Sequence, residues 1–175
     1  MDKVLVGIVI GSDSDLTVMS QTIKILEAFK IKYEIVITSA HKTLGKTMEY
    51  AQNAKEKGLE VLICGAGLSA ALPGVVSSQT FLPVIGVPVS STQSALEGFD
   101  ALYSILQMPS GIPVATMSIG ELGAKNAALL TIRILALKYP TLYTQLKEYQ
   151  NKLATELDEK DKKLNELGYE KYLRE

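Results

Sequence analysis

Short apolar runs alternate with helical patterns along most of this chain, and that alternation limits its possible folds more than any other feature. The runs at Val4–Ile10 and at residues 33–37, 61–64, 84–87 and 114–117 are mostly apolar, the first four of them rich in Val, Ile and Leu. Such nearly unbroken runs predict strands buried on both faces, the property of parallel sheets. Residues 16–29 place apolar side chains at 16, 19, 23, 26 and 29, a helical period. Ser14 or Asp15 is the expected N-cap of that helix. Residues 43–57 read as a second helix closed by Gly58. A short helix through Ser77 and helices over 98–107 and 124–138 complete the series. Strand and helix alternating five times predict an α/β fold, a parallel sheet with helices on both faces.

The remaining residues form a different kind of segment. Residues 145–175 carry seven basic and eight acidic side chains. Leu142, Leu146, Tyr149, Leu153 and Leu157 form one apolar stripe on a long charged helix. That stripe suits packing on the helix's own domain or on a neighbouring subunit equally well. The expected organisation is an α/β domain over 1–140 and a charged helix over 141–175 within the same domain unit. A length of 175 residues fits one domain.

Composition removes several function classes. Hydrophobic residues at 47% and charged ones at 21% exclude a disordered chain. A net charge of -1 provides no basic field for nucleic acid. No apolar run reaches the length of a membrane span, and the polar stretch after Ile10 does not suit a signal peptide. The single cysteine, Cys64, cannot build a disulfide framework or a multi-cysteine zinc site, and it fits a reducing, cytoplasmic setting. Within its apolar run it reads as an inert core thiol. His41 is the only histidine, so any imidazole chemistry falls to that residue, and a His-rich metal centre or a His-pair acid/base mechanism is excluded.

In open parallel sheets ligands bind beyond the carboxyl ends of the strands. The loops there, 11–15, 38–43, 65–74 and 88–96, hold Gly, Ser and Asp that suit a binding site better than a core. GSDSD at 11–15 offers free N–H groups and hydroxyls at a helix start, an arrangement that favours anions, or a simple capped turn. It is neither a P-loop nor a GxGxxG fingerprint. His41 lies just past the second strand beside Lys42, a cation for an anionic substrate, and imidazole is the side chain best suited to proton transfer near neutrality. A lone histidine there also suits a solvated structural role. The Gly and Ala residues of 65–74 suit either close approach to a ligand or helix–sheet packing. Asn126, in an Ala- and Leu-rich helix, reads as a buried hydrogen-bonding residue or a helix-start residue.

Taken in order, GSDSD, SAHK, AGLSAALPG, PVIGVPV, DALYSILQMPSGIPVAT and NAALL resemble the bacterial N5-carboxyaminoimidazole ribonucleotide mutases of purine biosynthesis. The resemblance spans roughly residues 4–138. It implies a flavodoxin-like three-layer sandwich on a five-stranded parallel sheet, assembled as a homo-octamer with active sites at subunit contacts. It also implies no metal and no organic cofactor. The substrates would be a ribonucleotide and carbon dioxide, with no nucleic acid and no membrane as partner. By the SAH motif, His41 would shuttle the proton. Ser12 and Asp15 would bind substrate, Asp15 at the ribose hydroxyls. Ser39 and Lys42 would face the phosphate side, and Gly67 and Ser69 would line the base and carbon dioxide pocket.

Two departures matter. The mutases usually read SAHR where this chain has Lys42, and a lysine keeps the charge but loses the bidentate fork. They also usually carry AAHLPG, so Ala71 stands where a second histidine would be. Direct aminoimidazole ribonucleotide carboxylases, which take free carbon dioxide, typically carry SAHK, so Lys42 points toward them. The continuous match from GVPV through NAALL points to the mutases. A non-catalytic nucleotide-binding module is a third reading, because fold alone does not fix function.

Overall fold

The computed structural model describes residues 3–174. Its five strands are β1 (Val4–Ile10), β2 (Lys32–Ile37), β3 (Val61–Gly67), β4 (Val84–Val89) and β5 (Ala115–Thr116). They form one sheet in the order β2-β1-β3-β4-β5, with every pairing parallel. The α/β sandwich expected from the alternation is therefore present, in the flavodoxin-like order. Its topological switch point lies between β1 and β3.

The helices follow from this order. They are α1 (Leu16–Ala28), α2 (Leu44–Asn53), α3 (Leu72–Ser78), α4 (Phe99–Leu106) and α5 (Glu121–Ala136). The step from β1 to β2 runs opposite to the later steps across the sheet, so right-handed crossovers place α1 on one face and α2, α3 and α4 on the other. The start of α5 joins α1, where the buried Thr22 hydroxyl donates to the Ala124 carbonyl at 2.8 Å. Small residues let the layers close. A Cβ on Gly65 would stand 2.8 Å from the Met19 side chain on the α1 face. On the other face, Cys64, Leu62, Tyr50, Val76 and Ile105 belong to one buried cluster. Burial pushes the Cys64 thiol pKa up, which fits an inert core residue.

Several boundaries differ from the sequence expectation. β3 runs to Gly67 rather than stopping at Cys64, because Gly65, Ala66 and Gly67 pair in register with Val87, Pro88 and Val89. β4 correspondingly runs through Pro88. A proline is tolerated there because β5 pairs only with Ile85 and Gly86, leaving that side of Pro88 outside the ladder. β2 is not buried on both faces: as the sheet edge it leaves Ile35 and Ile37 exposed. α2 stops at Asn53, and a turn carries the chain to Gly58 in the left-handed region, with φ 90°. Asn126 is exposed rather than buried, since Ala124, Ala127 and Ala128 form the inward face of α5.

The chain divides into two compact units, 1–132 and 133–175. The second contains α6 (Pro140–Leu167) and the short α7 (Tyr169–Tyr172). Pro140 begins α6, where a missing N–H costs nothing, and Gly168 ends it. Among the described residues no helix is long and apolar enough to cross a membrane.

Candidate active site

The carboxyl ends of β1, β2, β3 and β4 open into a cleft of about 750 Å³. Ser12, Asp15, Ser39, His41, Lys42, Gly67 and Ser69, all seven residues expected at the site, line it. The sheet order explains this convergence. The loops after β1, β2 and β3 are neighbours at the switch point, where Gly11 N–H donates to the Gly65 carbonyl at 3.3 Å and Thr38 N–H to the Ile10 carbonyl at 2.9 Å.

The loop after β1 is a single 3₁₀ turn, Asp13–Asp15, running directly into α1. Ser12 caps this turn, while Asp15 holds the N-cap position of α1, one of the two expected, without a side-chain cap bond to α1 itself. The Ser12 hydroxyl accepts from Ser14 N–H at 3.3 Å, and Asp15 Oδ2 accepts from Ser12 N–H at 3.0 Å. This is a reciprocal capping box. Asp15 is buried, and desolvation pushes its pKa upward against the opposing effect of the Ser12 and Gly11 backbone donors. Its carboxylate therefore shapes the loop that any ligand would meet.

The loop after β2 presents His41 and Lys42, both exposed. The Ser39 hydroxyl accepts from His41 N–H at 3.3 Å and from Lys42 N–H at 3.2 Å, a local turn that holds both residues at the rim. Among the described residues no carboxylate pairs with the Lys42 ammonium, so its charge is available to an anion.

The loop after β3 forms the opposite wall. Leu68 adopts the left-handed region at φ 55°, and Ala70 N–H closes a turn on the Leu68 carbonyl at 2.8 Å. Gly67 lies against the β4 backbone, where a Cβ would stand 2.9 Å from the Val89 carbonyl oxygen. Ala71, at the position where the resemblance lacks its second histidine, is part of this wall and carries no polar group.

Ser91, Thr92 and Gln93 also line the cleft, from the loop after β4. The sequence marks that loop by its place after a strand, and nothing in it points to an individual residue. The available signal was its run of hydroxyl and amide side chains at the end of an otherwise apolar strand.

The arrangement places one imidazole, one free ammonium and several hydroxyls and backbone N–H groups around an open cleft. It suits an anionic, hydroxyl-bearing small molecule with one proton-transfer group beside it. Residues 5–156 match the family model described as AIR carboxylase. The chain is 54% identical to N5-carboxyaminoimidazole ribonucleotide mutase of Pyrococcus horikoshii, over 99% of this chain and 96% of that protein. It is also 54% identical to the mutase of the same name from Thermotoga maritima, over 96% of each chain. The crystal structure of Treponema denticola PurE superposes with a TM-score of 0.80 at 36% identity, covering 91% of this chain and 98% of that one. A match across nearly the whole chain, in sequence and in fold, makes it a member of the AIR carboxylase family.

Proposed function

We propose that this protein is a purine-biosynthesis enzyme that converts N5-carboxyaminoimidazole ribonucleotide to 4-carboxy-5-aminoimidazole ribonucleotide. The observation that carries this reading is the placement of the chain's only imidazole, His41, on the same cleft as Ser12, Asp15, Ser39, Lys42, Gly67 and Ser69. The chemistry resides in residues 1–140, and 141–175 are a helical extension. The enzyme works in the cytoplasm as a homo-oligomer, an octamer, without metal or organic cofactor.

In this reading the imidazolium of His41 gives its proton to the exocyclic nitrogen as the nitrogen–carboxylate bond breaks and carbon dioxide leaves. Ring carbon C4 then attacks the retained carbon dioxide. The neutral imidazole takes the C4 proton, which restores the aromatic ring and the starting state of His41. No proton or electron pair is gained or lost overall. Lys42 and Ser39 hold the phosphate side and Asp15 the ribose hydroxyls. Gly67 and Ser69 bound the space in which carbon dioxide waits. Recapture depends on proximity, and holding two reactants in place is worth several powers of ten in effective molarity.

His41→Asn is the direct test. Turnover should fall by about 10²- to 10⁴-fold, the usual contribution of a positioned acid–base group, with ribonucleotide binding retained. Wild-type turnover by that variant would overturn the mechanism. Lys42 supports a second reading, direct carboxylation of aminoimidazole ribonucleotide. Supplying each ribonucleotide separately, the uncarboxylated one with bicarbonate and carbonic anhydrase, distinguishes the two. Efficient turnover of only the uncarboxylated form would assign the carboxylase. Binding without turnover of either would make the chain a non-catalytic nucleotide-binding module.

A further inference from the structure

The loop that carries His41 rests on a chain of three threonine hydroxyls that the proposed reaction does not itself use. Thr47, in α2, is fully buried, and Thr38, just past β2, is nearly so. Their hydroxyl oxygens are 2.8 Å apart, and Thr38 Oγ1 is 3.0 Å from Thr43 Oγ1. Thr43 Oγ1 in turn accepts from Ser39 N–H at 2.8 Å and reaches the Ser39 carbonyl at 3.3 Å. Ser39 is the residue whose own hydroxyl holds the N–H groups of His41 and Lys42.

Every hydroxyl proton in this chain can be used, in either sense. Run outward, Thr47 donates to Thr38, Thr38 to Thr43, and Thr43 to the Ser39 carbonyl. Run inward, Thr43 donates to Thr38, Thr38 to Thr47, and Thr47 to the Thr43 carbonyl at 3.3 Å. A buried hydroxyl needs a partner, and a threonine in a helix can find one in the carbonyl four residues earlier. Thr47 does reach that carbonyl, yet its shorter contact is to Thr38. The two buried hydroxyls are therefore joined to the exposed His41 turn rather than to the helix alone. The same Thr38 donates its N–H to the Ile10 carbonyl, directly before Gly11 and Ser12.

We propose that Thr38 and Thr47 are positioning residues for His41, acting through Thr43 and Ser39. In this stretch Ala40 packs against the buried cluster and the Ser39 carbonyl accepts from Thr43 N–H at 3.0 Å, whereas His41 and Lys42 are exposed and neither side chain has a partner among the described residues. A proton shuttle must meet two different atoms of the substrate in turn, and a displacement of about 1 Å can cost on the order of 100-fold in rate. A second layer of hydrogen bonds is what holds such a group to tolerance. This inference rests on the assignment of His41 as the proton shuttle.

The test replaces the hydroxyls with methyls of the same shape: Thr47→Val, Thr38→Val and the double variant, with Thr47→Ser as the conservative control. Removing both partners of a buried hydrogen bond is nearly neutral for stability, so the double variant should fold with an unchanged circular dichroism spectrum. Its kcat should fall by about 10- to 100-fold, and KM should rise with it, because Ser39 and Lys42 ride on the same turn as His41 while the Ser12 and Asp15 loop stays in place. Thr47→Ser should recover most of the rate lost in Thr47→Val. His41 is the only histidine, so histidine labelled at Cε1 gives a single NMR resonance. It should broaden or split in the double variant. An unchanged kcat together with an unchanged His41 resonance overturns the proposal, even while His41→Asn remains inactive. If His41→Asn is instead fully active, the assignment of His41 fails, and the positioning role fails with it. The His41 resonance then reports only whether the threonines order the turn. Should the double variant not fold, the Thr47→Val and Thr47→Ser pair decides the question by the same readouts.

Discussion

Asp15 shows how one side chain can serve the site at a cost to the fold. Its buried carboxylate caps Ser12 N–H, and burial raises its pKa above the ordinary aspartate value of 3.8. A raised pKa means the folded state holds this proton more tightly than the unfolded chain does. The stability linked to it is fully present below pH 3.8 and is lost as pH rises through the folded value. Above that folded value the ionised carboxylate is therefore a burden. Asp15→Asn keeps an acceptor for Ser12 N–H, so its unfolding free energy at pH 7 should stay within about 1 kcal/mol of the parent or exceed it. As pH falls toward 4, the parent should gain relative to the variant in urea titrations. KM for the ribonucleotide should rise at least about 10-fold in Asp15→Asn, the effect of weakening a charge-assisted hydrogen bond. Equal KM values would remove Asp15 from the binding site and leave it as a cap alone. The sequence identified Asp15 through its place in GSDSD, but not its role as the return partner of a capping box. The S-x-x-D spacing of Ser12 and Asp15 was the legible signal. It is obscured because the first turn is 3₁₀, so Ser12 stands four residues before Leu16, where the apolar helical period begins.

At the scale of elements, the ends of β3 and β4 set the width of the cleft. Gly67 pairs with Val89, and the backbone of β4 fills the space that a Cβ on Gly67 would need. A carbonyl oxygen in a paired strand cannot swing aside as a flexible side chain can. Gly67→Ala should therefore destabilise the fold by about 1–3 kcal/mol, as overpacking does. It should also raise KM, because Ser69 and the loop bearing Thr92 and Gln93 follow directly from the displaced strands. Chemical denaturation and steady-state kinetics on the same preparation check both parts. Full stability with unaltered KM would mean that the strands separate freely and do not define the cleft. The existence and order of the elements were legible because the apolar runs are short and the helical periods clean. Their ends were less so. Gly65 and Gly67 read as loop residues, yet they sit in β3 because a neighbouring side chain and backbone use the room they leave, and Pro88 sits in β4 because the ladder to β5 ends before it. Thr92 and Gln93 are not legible in the sequence, because a polar loop residue carries no mark of the direction its strand points.

At the scale of the whole molecule, two exposures belong to one argument. The cleft is open, with His41, Lys42, Ser69, Thr92 and Gln93 all at its accessible rim. The proposed reaction must nevertheless keep carbon dioxide from escaping into water between its two steps. Meanwhile α6, at roughly 1.5 Å per residue over its 28 residues, is a long helix whose Leu153 and Leu157 are 48% and 68% exposed. Leucines four apart on one face of a charged helix suit packing against another copy of the chain, and closed symmetric assemblies are the common way to cover such a face. Light scattering should therefore give a mass several times 19.0 kDa. Leu153→Glu with Leu157→Glu should lower that mass without changing the circular dichroism of the α/β unit. If subunit contacts also close the cleft, the dissociated variant should lose carbon dioxide before recapture. With substrate labelled in its carboxylate, the parent should pass the label to C4. The variant should release it into an unlabelled bicarbonate pool and accumulate the uncarboxylated ribonucleotide. A parent mass of 19.0 kDa would exclude the assembly. A dissociated variant that still transferred its label would place closure within a single subunit, in the mobility of the loops after β2 and β4.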